Sequence, residues 1–182
     1  LESARNENVS LIAVDVRDGK SILGHFITNN GKVVLQVEKR YSTNNYENFI
    51  ALVRKFIDEF SLENIQRISI GFPGPIINGI GFSERLSWEI NLEEIQQKLS
   101  IDEVYILNDL EASAYGLADV SKDCLVPIFA GNPDLKGNMA ILAPGNGLGE
   151  AGLFHDGLCL RPFATEGGHT EFSPRTAVEV EF

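Results

Sequence analysis

Between Val9 and Leu107 the hydrophobic pattern changes period, and that change limits what the chain can fold into. Val9 to Val16 is a nearly continuous apolar run carrying Asp15 near its end, followed by Arg17-Asp18-Gly19-Lys20. Ser21 to Ile27 and Val33 to Tyr41 read as strands joined by the turn signal Asn29-Asn30-Gly31. Tyr46 to Phe60 then moves to helical spacing, with Phe49, Val53, Phe56 and Phe60, together with Ile50 and Ile57, on one face. Arg67 to Phe72 is a short apolar strand ended by Pro73-Gly74-Pro75, which cannot continue a ladder.

Asn78 to Ser87 reads as a glycine-rich loop, and Asn91-Leu92-Glu93-Glu94 has the capping-box pattern for a helix running to about Leu99. Val104 to Leu107 is fully apolar, as in a strand covered on both faces, and Asp109 to Ala118 reads as helix. The expected succession is a three-stranded meander, then helix, strand, helix, strand, helix. Beyond it, Cys124 to Phe129, Met139 to Ala143, Glu150 to Phe154 and Leu158 to Pro162 read as strands, with His155-Asp156-Gly157 as a hairpin turn.

Composition narrows the function classes. A chain of 182 residues with 43% apolar and 23% charged residues can bury a substantial core. A formal net charge of -11 without a basic stripe argues against nucleic acid, which is held by clustered Lys and Arg. Cys124 and Cys159 are too few for a disulfide framework or a four-ligand metal site. Leu1 to Ser10 is polar and no run has the apolar length of a membrane span, so no membrane association and a cytoplasmic location are expected.

Three polar clusters sit where strands end: Asn108-Asp109, Gly145-Asn146-Gly147-Leu148-Gly149 and Glu166-Gly167-Gly168-His169. By residue type they offer a carboxylate base, a backbone cradle for phosphate, and hydrogen-bonding partners for a polyhydroxylated molecule. A structural reading competes for the first, in which Asn108 is a helix N-cap, Glu111 its capping-box partner and Asp109 a favoured first-turn acid. A dinucleotide-binding reading fails for the glycine loop, because no helix follows it.

The order and rough spacing of Gly71-Phe72-Pro73-Gly74-Pro75, Asn108-Asp109, Gly147-Leu148-Gly149 and Glu166-Gly167-Gly168-His169 resemble those of bacterial glucokinases, from Leu11 to about Pro174. That resemblance implies the actin-like ATPase fold, of the ribonuclease H-like α/β kind, with a mixed sheet in which a β-meander precedes βαβα units. A small N-terminal domain at 9–109 and the beginning of a larger one at 110–182 are expected. It implies transfer of the γ-phosphate of ATP to the 6-hydroxyl of glucose, in glycolysis, with Mg2+ as cofactor. Asp109 is then the catalytic base, while Asn108, Glu166, Gly168 and His169 bind the sugar. Gly19, Gly145, Asn146 and Gly147 face nucleotide phosphates, and Asp15 serves magnesium through water.

The implied partners are glucose or another hexose and ATP, with a homodimer as an allowed assembly. The chain differs from the family pattern at three places. Arg17-Asp18-Gly19-Lys20 replaces a glycine-glycine-threonine loop, Asn146 replaces threonine, and Glu84-Arg85-Leu86-Ser87-Trp88 replaces a Thr-Asn-x-x-Trp segment. These differences keep open a non-catalytic sugar-binding or regulatory homologue on the same scaffold. An actin-like ATPase that assembles with partners fits Glu166 and His169 less well. The family's length makes this chain look truncated.

Overall fold

Parallel pairing of three short strands organises the first half of the computed structural model, which describes residues 8–83, 85–86, 88–117, 120–132, 137–145, 147–171 and 173–181. β1 (Ser10–Asp15), β2 (Ser21–Asn29) and β3 (Lys32–Tyr41) form the expected antiparallel meander, with a bulge between His25 and Phe26. β4 (Arg67–Phe72) pairs parallel to β1, and a later strand, Glu103–Asn108, pairs parallel to β4. The five-stranded order is therefore meander edge β3, then β2, β1, β4 and Glu103–Asn108.

Helix α1 (Phe49–Glu59) lies between β3 and β4 in the chain. It starts three residues later than periodicity suggests, because Asn48 is its N-cap, accepting from the Ala51 N–H at 2.9 Å. Phe49, Leu52, Val53 and Phe56 on its buried face join Ile12, Val14, Leu23, Ile68, Ile70 and Phe72 from the sheet in one core. Phe56 is fully buried and meets the Tyr41 and Phe60 rings edge-on at 6.3 and 5.1 Å between centroids. Burial of the Tyr41 ring and its hydroxyl's bond to Glu59 hold that phenol's pKa well above its ordinary value.

Inside the segment expected to be a loop, Asn78 to Ser87, lies a strand, β6 (Ile80–Ser83), which pairs with the flanking β5 (Ile76–Ile77) and β7 (Trp88–Asn91) in a small antiparallel sheet. Asn78 and Gly79, both at positive φ, make its first hairpin turn. Trp88 and Ile90 enter the core, as a tryptophan commonly does. Helix α2 (Leu92–Leu99) follows, with Asn91 accepting from the Glu93 and Glu94 N–H groups. β8 (Glu103–Asn108), the sheet's other edge strand, is half-open rather than covered on both faces: Val104 and Asn108 are buried while Glu103 and Tyr105 are exposed.

Helix α3 (Asp109–Leu117) begins directly at the end of β8, and Ala118 lies outside the described residues. The chain divides into two compact units, one through Ser113 and one from Ala114. The second unit contains an antiparallel sheet of β9 (Met139–Pro144), β10 (Leu148–His155) and β11 (Leu160–Ala164). The expected strand at Cys124 to Phe129 is absent: Lys122–Cys124 is a 3₁₀ turn, and Ile128 and Phe129 are almost fully exposed. Apolar residue type alone misled there, since these side chains find no strand partner. β11 starts two residues later than expected, because Asp156 accepts from the Leu158 and Cys159 N–H groups and extends the turn.

Phe56→Ala is expected to lower unfolding stability by about 3 to 5 kcal/mol, the usual cost of emptying a buried phenylalanine site. Denaturant melts of the two proteins check this; a loss below about 1 kcal/mol would mean that α1 repacks freely over the sheet.

Candidate functional site

The carboxyl edge of the parallel strands gathers the first group of polar residues. Parallel register sets Asp15 beside Gly71 and Phe72 beside Asn108, so the ends of β1, β4 and β8 fall together. The Val16 N–H extends that pairing onto the Gly71 carbonyl at 2.9 Å. A Cβ on Gly71 would lie 3.4 Å from Ala112 Cβ and 3.7 Å from Asp109 Cα, so the bare strand lets the first turn of α3 settle on it.

Asn108 is buried and does two things. Its Oδ1 accepts from the Leu110 and Glu111 N–H groups at 3.0 and 3.3 Å, the N-cap that starts α3. Its Nδ2 donates to the Gly74 carbonyl at 3.3 Å. Gly74 has φ of 141°, and a Cβ there would press on the Phe82 carbonyl oxygen at 2.7 Å, so this position requires glycine. The Pro73-Gly74-Pro75 turn is thereby tied to the start of α3.

Asp109 follows as the first residue of α3, with Oδ1 accepting from the Leu110 N–H at 2.9 Å. Burial lifts its carboxyl above the ordinary aspartate range and the charge of Asp15 adds to this, while the Leu110 hydrogen bond and the Arg17 charge oppose it. Arg17 itself pairs with Asp15, Nη2 to Oδ2 at 2.7 Å, and that bond raises the guanidinium's pKa. Gly19, at φ 74° with open space where a Cβ would stand, turns the β1–β2 loop.

A residue that periodicity did not single out holds this loop. Thr43, 1% exposed on the short turn Thr43–Asn45, donates its hydroxyl to the Arg17 carbonyl at 2.9 Å and lies 2.8 Å from the buried Ser21 hydroxyl. Its N–H donates to the Gly19 carbonyl at 3.3 Å. A Ser-Thr segment after a strand is too common to flag such a fastening, which depends on contacts 22 to 26 residues apart in sequence.

The second unit holds the other clusters. Between β9 and β10 the chain reverses through Gly145 and Gly147, whose N–H and carbonyl bond at 2.8 Å; Asn146 lies outside the described residues. Glu166 precedes a 3₁₀ turn, Gly167–His169, in which the His169 N–H donates to the Glu166 carbonyl at 3.1 Å. Gly168 sits so close to β10 that a Cβ would run into the Leu148 carbonyl oxygen, and Gly167 faces the Glu150 carboxylate in the same way. The turn is thus seated on β10 by its glycines. Glu166 Oε2 and His169 Nε2 stand 3.6 Å apart on exposed side chains.

Asp15, Gly19, Asn108 and Asp109 belong to the first unit, and Gly145, Gly147, Glu166, Gly168 and His169 to the second. Arg17, Thr43 and Gly74 join the first group on structural grounds, and Glu150 the second. No three His, Cys, Asp or Glu side chains converge as metal donors among the described residues. No helix among those residues is long and apolar enough to cross a membrane.

The sequence profile of the glucokinase family matches residues 12–182. The glucokinase of Nostoc punctiforme is 27% identical over 172 residues, covering 94% of this chain and 50% of that protein. A glucokinase from an Antarctic psychrotroph superposes with a TM-score of 0.78 at 21% identity, over 94% of this chain and 54% of its own. That of Balamuthia mandrillaris, solved in complex with glucose, gives 0.72 at 20% identity, over 96% and 53%. The chain spans about half the length of the curated relatives it matches. The fold is the actin-like ATPase α/β fold of sugar kinases, with its mixed sheet.

An acid held above its unfolded-state pKa contributes most when protonated; that contribution is complete below the unfolded value and is lost as pH rises through the folded one. Asp109→Asn keeps the Oδ1 acceptor and cannot ionise. It is expected to unfold at higher denaturant concentration than the parent near neutral pH, with the gap closing as pH falls below the ordinary aspartate range. Melts at both pH values check this, and a gap independent of pH would remove burial of the charge as its cause.

Proposed function

Because the chain belongs to the glucokinase family, we propose that it carries the base and the sugar-binding clusters of an ATP-dependent hexose kinase acting on the 6-hydroxyl of glucose. The observation that carries this reading is the placement of Asp109. It is a partly buried carboxylate at the carboxyl edge of a parallel sheet, where α/β proteins bind ligands, and it is oriented by the Leu110 N–H.

Phosphoryl transfer needs mainly positioning and charge stabilisation. The Asp109 carboxylate accepts the hydrogen bond of the sugar hydroxyl and takes its proton as the new O–P bond forms and the bond from γ-phosphorus to the bridging oxygen breaks, releasing ADP. A carboxylate lifted above its ordinary pKa is a stronger base for that proton. Asn108 keeps Asp109 in place through the α3 cap and the Gly74 tether.

Glu166 and His169 supply acceptor and donor atoms to hexose hydroxyls, on a turn that Gly168 seats against β10. Gly147, and Gly19 on the first loop, offer backbone N–H groups to phosphate, while the Gly145 N–H is taken by the Gly147 carbonyl and closes the turn; Asn146, the loop's remaining member, lies outside the described residues. The setting is cytoplasmic glycolysis.

Mg2+ accompanies ATP in kinases, where it neutralises phosphate charge. Asp15 as it stands does not fit as its holder, because its Oδ2 is committed to Arg17. The Arg17-Asp15 pair in the phosphate loop is also what favours the second reading, a sugar-binding homologue without turnover.

A coupled assay of the whole protein with ATP and a panel of hexoses separates the two readings, activity on glucose supporting the first. Asp109→Asn is expected to lower turnover about 10² to 10⁴-fold, the usual cost of losing a general base, with the glucose dissociation constant preserved. Turnover within twofold of the parent would remove Asp109 from that role. Glu166→Ala and His169→Ala are each expected to weaken glucose binding by about 1 to 3 kcal/mol in calorimetry, the cost of an unpaired polar partner. Unchanged affinity in both would leave them as surface groups.

A further inference from the structure

We propose that Arg17 takes the place of a cation on Asp15 and itself grips the phosphates of ATP, so that nucleotide binding at this sheet edge depends on a guanidinium more than on a divalent metal. The inference rests on the nucleotide reading above and adds to it a residue that the expected phosphate loop lacks.

Geometry supports it at two points, and electrostatics agrees at a third. The 2.7 Å bond to Asp15 Oδ2 involves one nitrogen of a group with five N–H donors, and 64% of the Arg17 side chain remains exposed. Arg17 therefore keeps donors for a phosphate, which a guanidinium can take in bidentate fashion. Its backbone is held in place, because the buried Thr43 hydroxyl donates to the Arg17 carbonyl and the Thr43 N–H to the Gly19 carbonyl. Finally, its charge is felt at Asp109, the proposed base at the start of α3.

Charge balance gives the reason for such a residue. Asp15, Asp18 and Asp109 are three carboxylates on the β1–β2 loop and the adjoining sheet edge, against Arg17 and Lys20. Without Arg17, Lys20 would be the one cation of that loop against three carboxylates, and an anionic nucleotide would meet net repulsion at close range. Paired to Asp15, Arg17 cancels the carboxylate nearest to it and still carries donors outward.

Calorimetry on the whole protein tests this with two probes, ATP in excess EDTA and ATP with Mg2+, in the parent, Arg17→Ala and Arg17→Lys. The parent is expected to bind the two probes with affinities within about tenfold of each other, one charge-assisted contact's worth. Arg17→Ala is expected to lose at least about tenfold for metal-free ATP and distinctly less for Mg-ATP, since Asp15 is then released to the metal. Arg17→Lys, which keeps the charge without the fork, falls between. Unchanged glucose affinity in the variants shows that the fold is intact.

Equal losses for both probes, or no loss for either, overturn the proposal, as does a parent that binds Mg-ATP about a hundredfold more tightly than ATP alone. Each of those results leaves the kinase reading standing. A parent that binds neither probe removes the nucleotide reading itself, and the proposal with it.

Discussion

The parallel register of β1, β4 and β8 is the constraint on which the first unit's site depends. Backbone pairing sets Asp15 beside Gly71 and Phe72 beside Asn108, so three strands give out at one edge. A slip of one residue would turn every inward side chain outward and unmake the core rows that join Val14 to Ile70 and Ile12 to Ile68. Position of the polar groups and burial of the apolar ones are therefore enforced together. The helices α1 and α2 stabilise that register by contributing Leu52, Val53, Phe56 and Ile95 to the core that holds Ile12, Val14, Ile68 and Ile70.

Asn108 fixes two pieces of backbone with one side chain. Its oxygen starts α3 and its amide holds the Gly74 carbonyl, so helix start and turn are fixed relative to each other. Asp109 inherits that rigidity. The helix-cap reading and the catalytic reading of Asn108-Asp109 are thus compatible: the cap is the device by which the carboxylate is placed, and its partial burial is what shifts its protonation. Gly168 on β10 is the counterpart in the second unit, a position where any side chain would collide with the Leu148 carbonyl.

The β1–β2 loop is where the chain departs from the glycine-glycine-threonine pattern and where its electrostatics differ as well. A loop of glycines would leave Asp15 available to a cation; here the guanidinium of Arg17 is already on it. Thr43, far along the chain, keeps that loop in register with the strands. Family membership and fold are unaffected by such a change, because neither Arg17 nor Asp18 contributes to the core.

Much of the architecture was legible from periodicity and punctuation. The meander, α1, α2 and the strand-to-helix junction at Asn108-Asp109 follow from local signals, namely alternating or 3.6-residue apolar spacing, the Asn-Gly turn and asparagine caps. Asn78-Gly79 was an equally good hairpin signal, yet the surrounding residues read as loop because their strands are short and take their stability from packing Trp88 and Ile90 into the core. Cys124 to Phe129 had the composition of a strand without a partner, and strand formation needs one.

Sequence by itself determined the elements, the order of the polar clusters and the family they resemble, since these depend on residues close together in the chain. Tertiary structure decided that Thr43 clamps the β1–β2 loop and that Asp109 is partly desolvated, because both depend on groups brought together across long stretches of chain, whereas the Arg17–Asp15 pair is a local contact two residues apart.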